Sequence, residues 1–144
     1  MSIAALVTWL ATALGGFYML GTWIARGGAK SDGSSRLPVP VVFGHFLLAA
    51  AGLVVWVIYV FADTPALAWT AFVILLPVAL LGFVMFARWL AVTRAPAVRT
   101  ARGGPGAAAA DVPAERGFPL PVVLGHGLLA VVTLVLVLLT ALQA

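Results

Sequence analysis

The 144-residue chain contains no cysteine, only four acidic residues and only two histidines. Without cysteine, disulfide bonds, iron–sulfur clusters and thiolate zinc sites are excluded. Hydrophobic residues make up 64% of the chain and charged residues 8%, with a mean hydropathy of +1.18. A soluble domain of this size cannot bury so much apolar surface, because a small globule leaves much of its surface in water. The composition therefore predicts a single membrane domain over residues 1–144.

Four apolar segments are each long enough to cross a bilayer, which takes about 20 helical residues. Prolines stand near the starts of the last three segments, where a first helical turn tolerates a residue without an N–H. No aspartate or glutamate lies inside a segment, which argues against carboxylate-driven proton exchange. The predicted transmembrane helices cover residues 3–25, 39–61, 65–90 and 119–142.

All eight basic residues fall on one side of the predicted membrane. The positive-inside rule makes that side cytoplasmic and places both termini outside. The net charge of +4 thus reports loop positions, and no binding to nucleic acid is expected. A loop over residues 93–117, rich in Ala, Gly, Pro and Arg, is predicted to be flexible and cytoplasmic. The Ala, Arg, Gly and Pro usage of the chain suggests a bacterial source, so we expect a multi-pass protein of the bacterial cytoplasmic membrane. The basic residues are Arg26, Lys30, Arg36, Arg88, Arg94, Arg99, Arg102 and Arg116.

The chain contains an internal repeat. Residues 37–49 and 118–130 are identical at nine of thirteen positions, and a Gly-Phe-x-Met-x-x-x-Trp pattern occurs at 16–23 and again at 82–89. Each copy is predicted to be a helical hairpin in the same orientation, which is a parallel repeat with a pseudo-two-fold axis along the membrane normal. The predicted fold is therefore a four-helix transmembrane bundle built from two tandem hairpins. Repeat one covers 3–61 and repeat two covers 65–142.

The two histidines, His45 and His126, are equivalent positions of this repeat. Each lies about two turns inside its helix, where an imidazole is costly without a partner and is a candidate functional group. The expected symmetry brings both rings to one depth. If both face inward, they can bind opposite faces of one planar group, of which haem b is the simplest. Alternatively, each ring forms a structural hydrogen bond with a carbonyl or hydroxyl group of a neighbouring helix.

Other residues near the histidines add to this hypothesis. Gly44 and Gly125 precede them and let a macrocycle approach the backbone, while Arg88 is a cationic partner for a haem carboxylate. Met19 and Met85 are also repeat equivalents and are alternative ligands, either to the haem iron or, together with the histidines, to copper. Methionine in a membrane helix is more often an apolar packing group.

The paired Gly44-His45 and Gly125-His126 resemble the haem-binding helices of small bacterial membrane b-type cytochromes. They are also similar to the haem-bearing subunits that anchor respiratory dehydrogenases in the membrane. The resemblance implies one haem b bound by two histidines and electron transfer with a quinol or a partner protein. Those families often carry four histidines and two haems, whereas this chain offers one such site.

Two other functions remain open at this point. A non-enzymatic accessory or assembly subunit of a membrane complex would use its helix faces for binding and its histidines for structure. A small transporter or channel would use the histidines as protonatable gates, because imidazole titrates near neutral pH. In each case the lipid bilayer is the surrounding partner, and a homodimer is compatible with four helices.

Overall fold

The structure, a computed structural model, describes residues 1–30, 35–94 and 112–144. The described chain is all-helical, and four of its helices are long and apolar enough to cross a membrane. They agree with the predicted spans to within a few residues at each end. The four are α1 (Ser2–Ala25), α2 (Val39–Ala62), α3 (Pro65–Arg94) and α4 (Leu120–Gln143), and a short 3-10 helix spans Ala114–Gly117.

Local sequence explains where these helices begin and end. Pro38 and Pro119 precede α2 and α4 in extended conformation, and a second proline lies in the first turn of each helix. Beyond the end of α1, Gly27 has φ 80°, and the N–H of Gly28 bonds the carbonyl of Trp23 at 2.8 Å. This is the Schellman arrangement, which needs a left-handed residue that glycine supplies without strain.

The helices alternate in direction around the bundle. The indole of Trp56, near the end of α2, donates to the carbonyl of Ser2 at the start of α1, and Arg88 near the end of α3 donates to the carbonyl of Arg36 before α2. The most extensive packing joins α2 to α3 and α1 to α4, with smaller contacts between α3 and α4 and between α1 and α2. The order around the bundle is therefore α1, α4, α3, α2, and the two histidine-bearing helices lie diagonally opposite.

Many large apolar side chains lie on the outside of the bundle. Leu14 and Phe83 lie in the middle of α1 and α3 and are 72% and 73% exposed. The core instead pairs tryptophans with small residues: Trp9 and Trp56 are buried beside Ala68 and Ala71. A helix with apolar side chains on its outer face suits lipid, because there the outer surface is not in water.

The predicted flexible loop, residues 93–117, is helical at its described ends. Helix α3 continues to Arg94, four residues beyond its predicted end, and the 3-10 helix begins at Ala114. Residues 95–111 lie outside the described residues. The described residues that precede α4, 112–119, are relevant to the site because they include a buried carboxylate.

Candidate functional site

The bundle brings the two predicted histidines together. His45 is the seventh residue of α2 and His126 is the seventh residue of α4, so each side chain lies at the same distance from the start of its helix. Their ring centroids are 6.3 Å apart, with an interplanar angle of 57°. Since α2 and α4 are diagonal neighbours, the two rings meet across the middle of the bundle. The repeat predicted the common depth, whereas the proximity of the two rings depended on both facing inward and is seen only in the structure.

Each imidazole also bonds the backbone of a neighbouring helix. His45 Nδ1 lies 2.9 Å from the carbonyl oxygen of Val78 in α3, and His126 Nδ1 lies 2.9 Å from that of Thr12 in α1. A carbonyl oxygen only accepts, so Nδ1 carries the proton and donates in both rings. In the neutral imidazole this leaves the Nε2 lone pair available. The predicted structural contact is thus confirmed for one nitrogen of each ring.

Glycines on α1 and α3 provide the space for these rings. A Cβ built on Gly82 would lie 3.1 Å from Cε1 of His45, and a Cβ built on Gly16 would lie 3.2 Å from Cε1 of His126. Both distances are tighter than ordinary van der Waals contact, so a side chain at either position would press on the imidazole. The structure shows that the group packed against these glycines is the histidine.

The glycines that precede the histidines have a different environment. A Cβ on Gly44 would meet only Cδ1 of Leu81, at 3.8 Å, which is ordinary contact. A Cβ on Gly125 would have no described atom within 4 Å. A methyl group at these two positions meets no close contact with a described protein atom, whereas at Gly16 or Gly82 it would require the histidine ring to shift by a few tenths of an ångström.

The methionines predicted as alternative ligands are half-buried. Met85 packs against an apolar cluster that includes Trp23, Leu37 and Val42, which is the packing role expected of most membrane methionines. Within the described residues, no group of three or more His, Cys, Asp or Glu side chains is placed to hold a metal ion. Protein ligands to a metal at this site would therefore have to be the two imidazoles, with or without a thioether.

Arg88 lies at the end of the bundle that carries the basic residues, which we call the basic end. Its guanidinium donates to the carbonyl of Arg36 at 3.1 Å, and both side chains are exposed. Arg36, Arg88, Ala91 and Val92 line an open groove of about 340 Å³. The predicted cationic partner is thus beside a second arginine, in a groove with an apolar floor.

Glu115 is a buried acidic residue that sequence reasoning missed. Its side chain is fully buried, and its carboxylate accepts hydrogen bonds from the Ser35 hydroxyl at 2.8 Å and the Arg36 N–H at 2.7 Å. The same Ser35 oxygen accepts the indole N–H of Trp23 at 2.8 Å. This network ties the segment before α4 to the segment before α2, and thereby fixes the starts of both histidine-bearing helices. The only sequence signal was its position, just before the second copy of the thirteen-residue pattern at 118–130.

A second cavity lies at the opposite end of the bundle. It has a volume of about 460 Å³, and Asp63 and Tyr59 contribute polar groups to its lining together with the two chain ends. Tyr59 is fourteen residues beyond His45 in α2, which is about 21 Å along the helix at 1.5 Å per residue. This cavity is therefore separate from the histidine pair.

Comparison of the chain with protein-family models, with curated proteins and with solved structures finds no match in any of the three. The function is therefore argued from the histidine pair and its surroundings.

Proposed function

We propose that this chain is a membrane-embedded b-type haem protein, in which His45 and His126 bind the haem iron from opposite sides. The observation that carries the proposal is the pairing of two imidazoles inside an apolar bundle, each with Nδ1 bonded to a carbonyl. Metal-binding histidines commonly donate their other N–H to such an acceptor, which fixes the tautomer and the ring orientation. The function that follows is electron transfer with a quinol or with a partner protein.

The separation of the rings fits this ligation. A metal–imidazole bond is about 2.0 Å and the ring centre lies about 1.1 Å beyond the nitrogen, so two axial imidazoles have centroids roughly 6.2 Å apart. The observed separation of 6.3 Å agrees with that value. The interplanar angle of 57° is also compatible, because each axial ring can rotate about its bond to the metal.

The matched contacts support the two-repeat arrangement that the sequence predicts. Thr12 and Val78 are 66 residues apart, as are Gly16 and Gly82, and each pair makes the same kind of contact with a histidine. We place the pseudo-two-fold axis between the two rings, along the membrane normal. The basic end is then cytoplasmic in a bacterial membrane, and both termini lie outside.

A bound haem supplies a one-electron couple, and the chain determines how that couple is used. If both His45 and His126 held the iron, the site would favour electron transfer over binding of a small ligand. The Val78 and Thr12 carbonyls increase the basicity of the imidazoles and hold them in place. Arg88 provides a charge for a haem carboxylate at the basic end. Because the chain offers one such pair, a quinol or a partner protein must complete the electron path.

The test is an absorption spectrum of the protein purified in mild detergent after haem-supplemented expression, first oxidised and then reduced with dithionite. We expect a Soret band and a sharp reduced α-band, and we expect both to be lost in His45→Ala and in His126→Ala. Gly21→Ala is the control, because a methyl group there meets no described atom within 4 Å and the residue has no part in the proposed haem site. A featureless wild-type spectrum would refute the proposal.

One observation favours a second candidate, a non-enzymatic accessory subunit of a membrane complex. The two imidazole–carbonyl bonds link α2 to α3 and α4 to α1, which is a structural role that needs no haem. This candidate predicts a featureless spectrum and a double histidine variant that still binds its partner but unfolds more readily. Loss of partner binding in a double variant that remains folded would count against it.

A further inference from the structure

Trp89 has the one buried side-chain polar atom without a hydrogen-bond partner in the part of the chain that the structure describes. The residue is 5% exposed, and its indole Nε1 is buried and unpaired. An N–H group removed from water without an acceptor is unfavourable, and such groups in a native fold call for an explanation, including a missing ligand. The tryptophan at the same place in α1, by contrast, has a hydrogen-bond partner.

That residue is Trp23, the last position of the Gly-Phe-x-Met-x-x-x-Trp pattern in α1, as Trp89 is in α3. It is 1% exposed, and its indole N–H donates to the Ser35 hydroxyl, which in turn donates to the buried carboxylate of Glu115. One tryptophan of the pair is thus satisfied by the chain, and the other is not.

The position of Trp89 relates it to the histidine pair. It follows Gly82 by seven residues, so both lie on the same face of α3, and Gly82 is the residue against which His45 packs. Seven residues span about 10.5 Å toward the basic end, and helical side chains lean back toward the start of their helix. Trp89 therefore lies on the face of α3 that packs against His45, displaced from the histidine pair toward the basic end.

We infer that the indole N–H of Trp89 donates a hydrogen bond to a carboxylate of the ligand held between His45 and His126. The inference rests on the proposed function and specifies which edge of the haem faces α3. A carboxylate is the appropriate acceptor, since Arg88 adds positive charge at the same end and a hydrogen bond to a charged group is stronger than a neutral one. A lipid headgroup is a poorer candidate for a buried atom.

The test compares two forms of the porphyrin. Ligand-free protein in detergent is titrated with iron protoporphyrin IX and with its dimethyl ester, which has no free carboxylate, and binding is followed in the Soret region. We expect Trp89→Phe to weaken binding of the free acid about tenfold and to leave binding of the ester unchanged, since one charge-assisted hydrogen bond is lost. Trp23→Phe is the matched control, and any change that it causes should be equal for both forms.

The outcomes separate the inference from the proposed function. If Trp89→Phe binds both forms as the wild type does, or weakens both equally, the inference is overturned and the histidine ligation stands. If the wild type binds neither form, the proposed function fails and the inference fails with it. Should Trp89→Phe not fold, the affinities of the wild type for the free acid and for the dimethyl ester still test the inference, because equal affinities would overturn it.

Discussion

Replacement of Gly82 by alanine should disturb the histidine pair more than any other single methyl group near it. The new Cβ would lie 3.1 Å from Cε1 of His45 and 3.6 Å from its Nδ1. The ring cannot move away freely, because its Nδ1 is bonded to the Val78 carbonyl at 2.9 Å. Relief of the contact therefore shifts the Nε2 atom that we propose as the iron ligand.

Overpacking of this kind costs about 1–3 kcal/mol. If that cost is felt mainly in the ligand-bound state, the affinity for haem falls about five- to 150-fold. Alanine also favours a helix over glycine by about 1 kcal/mol, which would obscure the effect in a measurement of stability alone. The comparison therefore needs a second glycine-to-alanine change at a site without a close contact.

Gly21→Ala is that control, because a Cβ there has no described atom within 4 Å and the residue has no part in the proposed haem site. Both variants are titrated with haem in detergent and followed by the Soret band. We expect Gly21→Ala to bind as the wild type does and Gly82→Ala to bind at least fivefold more weakly. Equal affinities for the two variants would refute the reasoning, because they would show that the glycine against His45 does not set the position of its ring.

Two further predictions concern stability and are measured by unfolding in a denaturing detergent. Gly28→Ala should be destabilising, because the indole of Trp23 already occupies the place of the new Cβ, whereas Gly21→Ala has open space around it and should be neutral or stabilising; equal effects would contradict this. Thr133→Val removes a hydroxyl contact of 3.1 Å between α4 and α1, which in membrane helices stabilises by about 0.6 kcal/mol. Thr140→Val, which loses a bond only to its own helix, should cost less than Thr133→Val, and the reverse order would be evidence against the interhelical contact.

The sequence predicted the helices well because hydropathy and proline positions are local signals. It also predicted that His45 and His126 would lie at one depth, since the repeat places both near the start of a helix, but it left open whether both rings face inward. It did not predict the acceptor of either Nδ1, because all four helices are apolar on every face and the pattern does not fix their rotation about their axes. For the same reason the role of Gly82 became clear only with the ring placed against it.

Glu115 could not be assigned from sequence for a different reason. It bonds residues about 80 positions away, and it lies at the end of a segment whose composition is typical of a flexible loop. A single acidic residue in such a segment is usually solvated. Only the three-dimensional approach of the two loop segments shows that its carboxylate is fully buried and accepts two hydrogen bonds.

The pairing of α1 with α4 has a consequence for the order of assembly during synthesis. The bond between His45 and Val78 spans 33 residues, so it can form once α2 and α3 have been inserted, whereas the bond between Thr12 and His126 spans 114 residues. The 48 residues from Val78 to His126 take roughly 2–10 s to translate at about 5–20 residues per second. During that interval His45 already has its hydrogen-bond partner, whereas α1 still lacks α4, the helix that it packs against most. If the proposed haem site is correct, its second histidine is made last, and haem would be captured as the bundle is completed.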